Sequence, residues 1–311
     1  MRGTFARILC ELADKDERVV LLTGDLGFTV LEPFRDRFPK RFFNVGVAEQ
    51  NMVGVATGLA EAGMVPFCYS IGTFASLRPF EFIRNGPVLH HLPVRVIGLG
   101  AGFEYGTAGP SHYSLEDIGI MRTQPGLAVI APADFEQASA ALNATWDLPG
   151  PVYYRLGKDD KSAMPGLEGR FELGRTQTVR KGKSDELLIF TCGPISLDVA
   201  LAANDLAKGG IDAEVVVVAS VSPVPEHDLV ESLGRHRVAL TVETHSVTGG
   251  LGSLVAEVIA DHGIGTRLVR LGVRTGSEGR SGSVAYMHAR HGLDRPGIVT
   301  AARRLLAGAS R

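Results

Sequence analysis

The chain has 311 residues, 45% of them hydrophobic and 21% charged, with a formal net charge of −2. That length supports two domains, each with its own core, and the near-neutral charge gives no footprint for nucleic acid or an anionic membrane surface. Three scattered cysteines, Cys10, Cys68 and Cys192, lack CxxC spacing, which argues against a disulfide framework or zinc site and makes a reducing cytoplasm the expected setting.

The N-terminal stretch "MRGTFARILCELADKDERVV" places apolar residues at helical spacing and lacks the apolar centre of a signal peptide. No apolar run is long enough to span a membrane. Short β-branched runs bounded by Gly, Pro or Asp then follow in order. "VVLLTGD" (19–25), "VPFCYSI" (65–71), "VRVIGLG" (94–100) and "LAVIAPA" (127–133) read as buried parallel strands. Residues 41–45 read as a further strand leading into an Ala/Gly-rich helix. "FEQASAALNATWDL" reads as a helix, and "PVYYRLGK" closes the unit. The alternation predicts an α/β fold with a parallel sheet covered on both faces.

The polar, Gly-rich stretch from Lys158 to Ser184 reads as the connection, dividing the chain into residues 1–160, a linker 161–185, and residues 186–311. The α/β rhythm restarts after it, predicting a second, smaller α/β domain. Strands are expected at "ELLIFTCG", "DAEVVVVAS" and "RVALTVET". Helices are expected at "ISLDVALAANDLAKGG", "HDLVESLGRH" and "GLGSLVAEVIADHG".

"GGLG" at 249–252 opens a helix and can hold an anion on its free N–H groups. It fits neither dinucleotide nor P-loop spacing, and tight helix–strand packing is the favoured reading. His90 and His91 read as a solvated turn. His112 lies in a Gly/Pro/Ser-rich loop at the carboxyl end of a predicted parallel strand, where α/β folds place ligands. An imidazole there can bind a hydroxyl, shuttle a proton, or simply be structural. Glu49 opens the Ala/Gly-rich helix. It either caps that helix or, among Val45, Gly46, Val47, Ala48, Met52 and Val53, is a desolvated carboxylate with a raised pKa that handles a proton.

These segments together carry a resemblance. "GVAEQNMVGVATGLAEAG", "GTAGPSHYSLEDIGIMR", "PGLAVIAPADFEQA", "PVYYRLGK" and "VETHSVTGGLGSLVAEVI" resemble, in order and spacing, the C-terminal half of the transketolase family. That half comprises a pyrimidine-binding domain and the transketolase C-terminal domain. In the nearest-looking relatives this half is a separate subunit. The resemblance implies a two-component thiamine diphosphate enzyme that transfers a two-carbon ketol unit from a ketose (phosphate) donor. It assigns Glu49 to a ring nitrogen of the thiamine aminopyrimidine, where it activates the cofactor. It further implies Phe74 and Phe80 as aromatics against that ring and Asp25 at the cofactor's edge. His112 falls near the reacting carbons, and Arg155 falls where relatives hold the substrate phosphate.

Two departures stand out. Ala108 replaces an aspartate that reads a sugar hydroxyl, and Gly100 replaces a phosphate-assisting histidine. The acceptor is therefore expected to be less hydroxylated, aldehyde-type or carrier-bound. The diphosphate- and metal-binding segment of such enzymes is missing from the sequence. Thiamine diphosphate with Mg²⁺ or Ca²⁺ is therefore expected to be bound mainly by an N-terminal partner subunit, with this chain pairing with its own copy in a heterotetramer and contributing no metal ligand. The β subunit of a 2-oxo acid dehydrogenase's decarboxylating component and a non-catalytic regulatory subunit share this architecture and stand as alternatives.

Overall fold

The computed structural model describes residues 1–276 and 279–309. The first unit runs α1 (Arg2–Lys15), β1 (Val19–Thr23), α2 (Glu32–Arg37), β2 (Phe42–Asn44), α3 (Glu49–Glu61), β3 (Val65–Ile71), α4 (Gly72–Ser76), α5 (Phe80–Ile83), β4 (Arg95–Leu99), α6 (Asp117–Met121), β5 (Ala128–Ile130), α7 (Phe135–Thr145) and β6 (Val152–Leu156). The second runs β7 (Gln177–Arg180), β8 (Leu188–Thr191), α8 (Ser196–Lys208), β9 (Glu214–Val217), β10 (Ser220–Ser222), α9 (Glu226–Arg235), β11 (Val238–Ser246), α10 (Leu251–Asp261), β12 (Arg267–Val273), α11 (Val284–His291) and α12 (Arg295–Ala309).

Period-two alternation explains the layering. Val19 and Leu21 of β1, with Phe67 and Tyr69 of β3, face the core under α1. Val20 and Leu22, with Cys68, face the opposite core together with Met52 and Val53 of α3. Every residue of β1 is therefore buried, as a parallel strand covered on both faces requires. The first sheet is ordered β10-β5-β6-β4-β3-β1-β2 and the second β12-β11-β8-β9-β7. Both are parallel except at one edge, where β10 and β7 pair antiparallel with β5 and β9. The predicted α/β class is thus observed, with a covered parallel sheet in each unit.

Two edges differ from the sequence reading. Gln177–Arg180 falls inside the stretch read as linker, yet it completes the second sheet. Ser220–Ser222 leaves the second unit to extend the first sheet. The core containing Met52 and Met121 also continues into Phe190, Val216 and Leu254 of the second unit. The two units share an interior as well as a connection.

The GGLG stretch resolves towards packing. At the start of α10, Leu251 N and Gly252 N each donate to the buried Glu243 carboxylate at 2.8 Å. The anion on this helix end is the protein's own. A Cβ at Gly250 would lie 2.0 Å from Glu243 Oε2, so glycine is needed there for close approach. Cys10, Cys68 and Cys192 are buried free thiols. His90 and His91 are exposed, as expected of a turn.

Candidate active site

Glu49 stands at the N-terminus of α3, just past the carboxyl end of β2, and is only 2% exposed. It is not a simple helix cap. Its Oε1 accepts from Ser70 Oγ of β3 at 2.9 Å, and its Oε2 accepts from Arg78 Nη1 at 2.8 Å. Gly24, after β1, leaves room for the carboxylate: a Cβ there would sit 3.3 Å from Oε1. Burial is thus only part of its environment, since two donors fix its plane. Each oxygen retains a second lone pair, and the group lines an open cleft of about 680 Å³. Phe82, 40% exposed, and Val47, 70% exposed, give that cleft apolar walls.

Arg78 connects Glu49 to the rest of the site. Its guanidinium carbon lies 4.0 Å from the Phe74 ring centroid. Phe74 meets the His112 ring edge-on at 5.1 Å. His112 Nδ1 lies 3.0 Å from Ser111 Oγ, and Tyr105 lies 6.4 Å from the His112 ring. Glu49, Arg78, Phe74 and His112 therefore form one continuous chain of contacts. Ala108 is exposed on the same loop, in the 3-10 turn Gly106–Ala108, and offers only a methyl group. Asp25 adopts a left-handed backbone (φ 58°) and accepts from Asn44 Nδ2 at 2.9 Å. Asn44 Oδ1 in turn accepts from Gly46 N at 3.0 Å, which steadies the turn leading to Glu49.

Two assignments change. Arg155 was expected to hold a substrate phosphate, but its side chain is only 1% exposed. It donates to Asp117 Oδ2 at 2.8 Å, to Ser114 O at 2.9 Å and to Thr244 O at 2.8 Å. Burial pushes the Asp117 carboxyl up, but the Arg155 guanidinium beside it, with the Tyr153 hydroxyl, outweighs that and leaves it below the ordinary carboxylate value. Arg155 is therefore a buried tie between the two units. Phe80 is half-buried in α5, and the aromatic in the cleft wall beside Glu49 is Phe82. Ser70, Arg78 and Phe82 were missed as site residues. They lie in the same "YSIGTFASLRPFEFIRN" segment as Phe74, so the segment was the signal although its register was not. No group of three or more His, Cys, Asp or Glu side chains suited to a metal ion occurs among the described residues.

A buried carboxylate with free lone pairs, lining a cleft with an apolar wall, fits the edge of a flat nitrogen heterocycle. Comparison with known proteins agrees. Residues 1–161 match the transketolase pyrimidine binding domain, and residues 174–298 match the transketolase C-terminal domain. A Methanocaldococcus jannaschii protein whose name describes a transketolase C-terminal section is 38% identical over 301 residues, covering 96% of this chain and 93% of that protein. The 6-deoxy-6-sulfo-D-fructose transketolase subunit of a Clostridium species is 36% identical, covering 98% and 94%. A solved structure titled "Split gene transketolase, inactive beta4 tetramer" superposes with a TM-score of 0.87 at 35% identity, covering 98% of each chain. By sequence and fold alike, this chain belongs to the transketolase family.

Proposed function

We propose that this chain is the pyrimidine-side subunit of a two-component, thiamine diphosphate-dependent transketolase. It moves a two-carbon ketol unit from a ketose or ketose phosphate to an aldehyde-type or carrier-bound acceptor. The observation that carries this reading is the buried Glu49 carboxylate, oriented by Ser70 and Arg78 and opening into a cleft walled by Phe82. When bound, thiamine diphosphate supplies the electron sink for breaking and making the carbon–carbon bond. Glu49 holds and moves a proton at the heterocycle's ring nitrogen. Phe82 and Phe74 shield the ring, and Asp25 steadies the cleft's edge through Asn44. His112, set against Phe74, reaches a substrate hydroxyl or shuttles its proton. Ala108 leaves the acceptor side without a carboxylate, which favours a less hydroxylated substrate than a sugar phosphate.

The cleft is open on one side, and the relatives named above include a C-terminal section and a subunit of larger enzymes. Both facts support a separate N-terminal partner that brings the diphosphate and its Mg²⁺ or Ca²⁺. The tetramer in the solved relative's title favours self-pairing of this chain within a heterotetramer. No helix among the described residues is long and apolar enough to cross a membrane, and we place the enzyme in the cytoplasm. The test is reconstitution. The isolated chain, given thiamine diphosphate and Mg²⁺, should transfer no ketol unit, and adding the partner subunit should produce turnover. Cofactor-dependent turnover by this chain alone would overturn the two-component reading.

A further inference from the structure

The loop carrying Ala108 and His112 belongs to the first unit, but its far side is built by the second. Gly282 N donates to Gly106 O at 3.1 Å, and Tyr113 Oη donates to Arg280 O. Phe103, at the loop's start, stacks on His291 of α11 with centroids 5.2 Å apart and planes 9° apart. It also meets Tyr113 edge-on at 5.1 Å. A Cβ on Gly106 would lie 2.5 Å from Gly282 O, so the two backbones are as close as they can come. At the loop's base, Gly102 bridges Ser114, and Arg155 ties Ser114 O to Thr244 O of β11.

The loop needs such support. Gly100, Gly102 and Gly109 all have positive φ (85°, 61° and 90°), and glycine-rich backbone loses the most freedom on ordering. The residues that line the cleft around Glu49 all come from the first unit. The second unit reaches the site's surroundings through this loop as well as through the core it shares with α3. We infer that the second domain is a clamp on the substrate loop. It fixes the backbone from Gly106 to Tyr113 so that His112 stands against Phe74, and Gly106, Tyr113 and Gly282 are positioning residues. This rests on the transferase reading above. Loosening the clamp displaces His112, and a misplacement on the order of 1 Å at a reacting group costs roughly a hundredfold in rate.

The experiment uses the full chain with Gly106→Ala, which wedges the two backbones apart, and Tyr113→Phe, which removes one hydroxyl and preserves the core. In hydrogen exchange on the isolated chain, amides 106–113 should exchange about tenfold faster in both variants, while α3 and β3 stay protected. The complex with the partner subunit, thiamine diphosphate and Mg²⁺ is then assayed with hydroxypyruvate as donor probe. There kcat/KM should fall roughly ten- to a hundredfold per folded site, with the cofactor Kd within about twofold of wild type. Unchanged exchange in Tyr113→Phe would refute the clamp. Faster exchange with unchanged kcat/KM would refute its positioning role. An inactive wild-type complex would overturn the transferase reading and the positioning role with it, while the exchange data still decide whether the loop is clamped.

Discussion

Replacing Arg155 by Met separates a structural from a substrate-binding role. The guanidinium and the Asp117 carboxylate are both buried. Asp117 Oδ2 also accepts from Tyr153 Oη at 2.8 Å, whereas its Oδ1 has no partner. His245 Nε2, 4.0 Å from Oδ1, already accepts from Gly119 N and so offers no donor. Removing Arg155 strands a carboxylate in the interior, a loss worth about 3–5 kcal/mol. Ser114 O and Thr244 O lose their donor as well. Urea unfolding of the isolated chain should shift its midpoint down by about 1 M or more, given slopes of a few kcal/mol per M. The double change Arg155→Met with Asp117→Leu should recover only part of the loss, because it removes the orphaned charge but does not restore the lost hydrogen bonds of Tyr153 Oη, Ser114 O and Thr244 O. If Arg155→Met left stability unchanged and raised only the KM for a phosphorylated substrate, the buried-tie assignment would be wrong.

Two other substitutions probe separate parts of the molecule. Ala108→Asp, at an exposed turn position, should fold normally and shift acceptor preference towards hydroxyaldehyde phosphates by roughly ten- to a hundredfold, the equivalent of a charged hydrogen bond of about 1.5–3 kcal/mol. The ratio of kcat/KM for a hydroxyaldehyde phosphate and a simple aldehyde measures it, and an unchanged ratio would mean that the residue does not face the acceptor. Asp160 tethers the start of α1: its carboxylate lies 2.8 Å from the Met1 ammonium and accepts from Gly3 N and Thr4 N. Burial pushes this carboxyl up, but those partners outweigh it and hold it at about 2. A depressed carboxyl stabilises the fold above its unfolded value near 3.8, and that stabilisation is lost as pH falls towards 2. Asp160→Asn should therefore cost about 1 kcal/mol at neutral pH after solvent screening. The gap to wild type should close on acidification, as thermal unfolding at several pH values would show.

The parts legible in the sequence were those written locally. Strand β3 was read with the observed bounds, because a short, mostly apolar run between Gly63 and Gly72 has few other readings. β7 and β10 were not legible. Both are short, partly polar edge strands whose pairing depends on β9 and β5, far away in the chain. Glu49 was singled out by its apolar neighbours, but Arg78, 29 residues on, is brought to it only by the path of β3 and α4. Arg155 shows the opposite failure. The family resemblance assigned it to a substrate phosphate, while its partner Asp117 lies 38 residues earlier in the chain. Long-range pairing of charges leaves no local pattern in the residues that form it.

The central claim is that Glu49 activates the cofactor from this side of the site. The most direct measurement is the exchange rate of the thiazolium carbon-bound proton of thiamine diphosphate in the reconstituted complex, comparing wild type with Glu49→Gln. A glutamine can occupy the same place beside Ser70 and the cleft, but it cannot release and recover a proton. The account predicts that complex assembly is retained while exchange and turnover slow by roughly two to four decades. Exchange as fast as wild type in the substituted complex would contradict it.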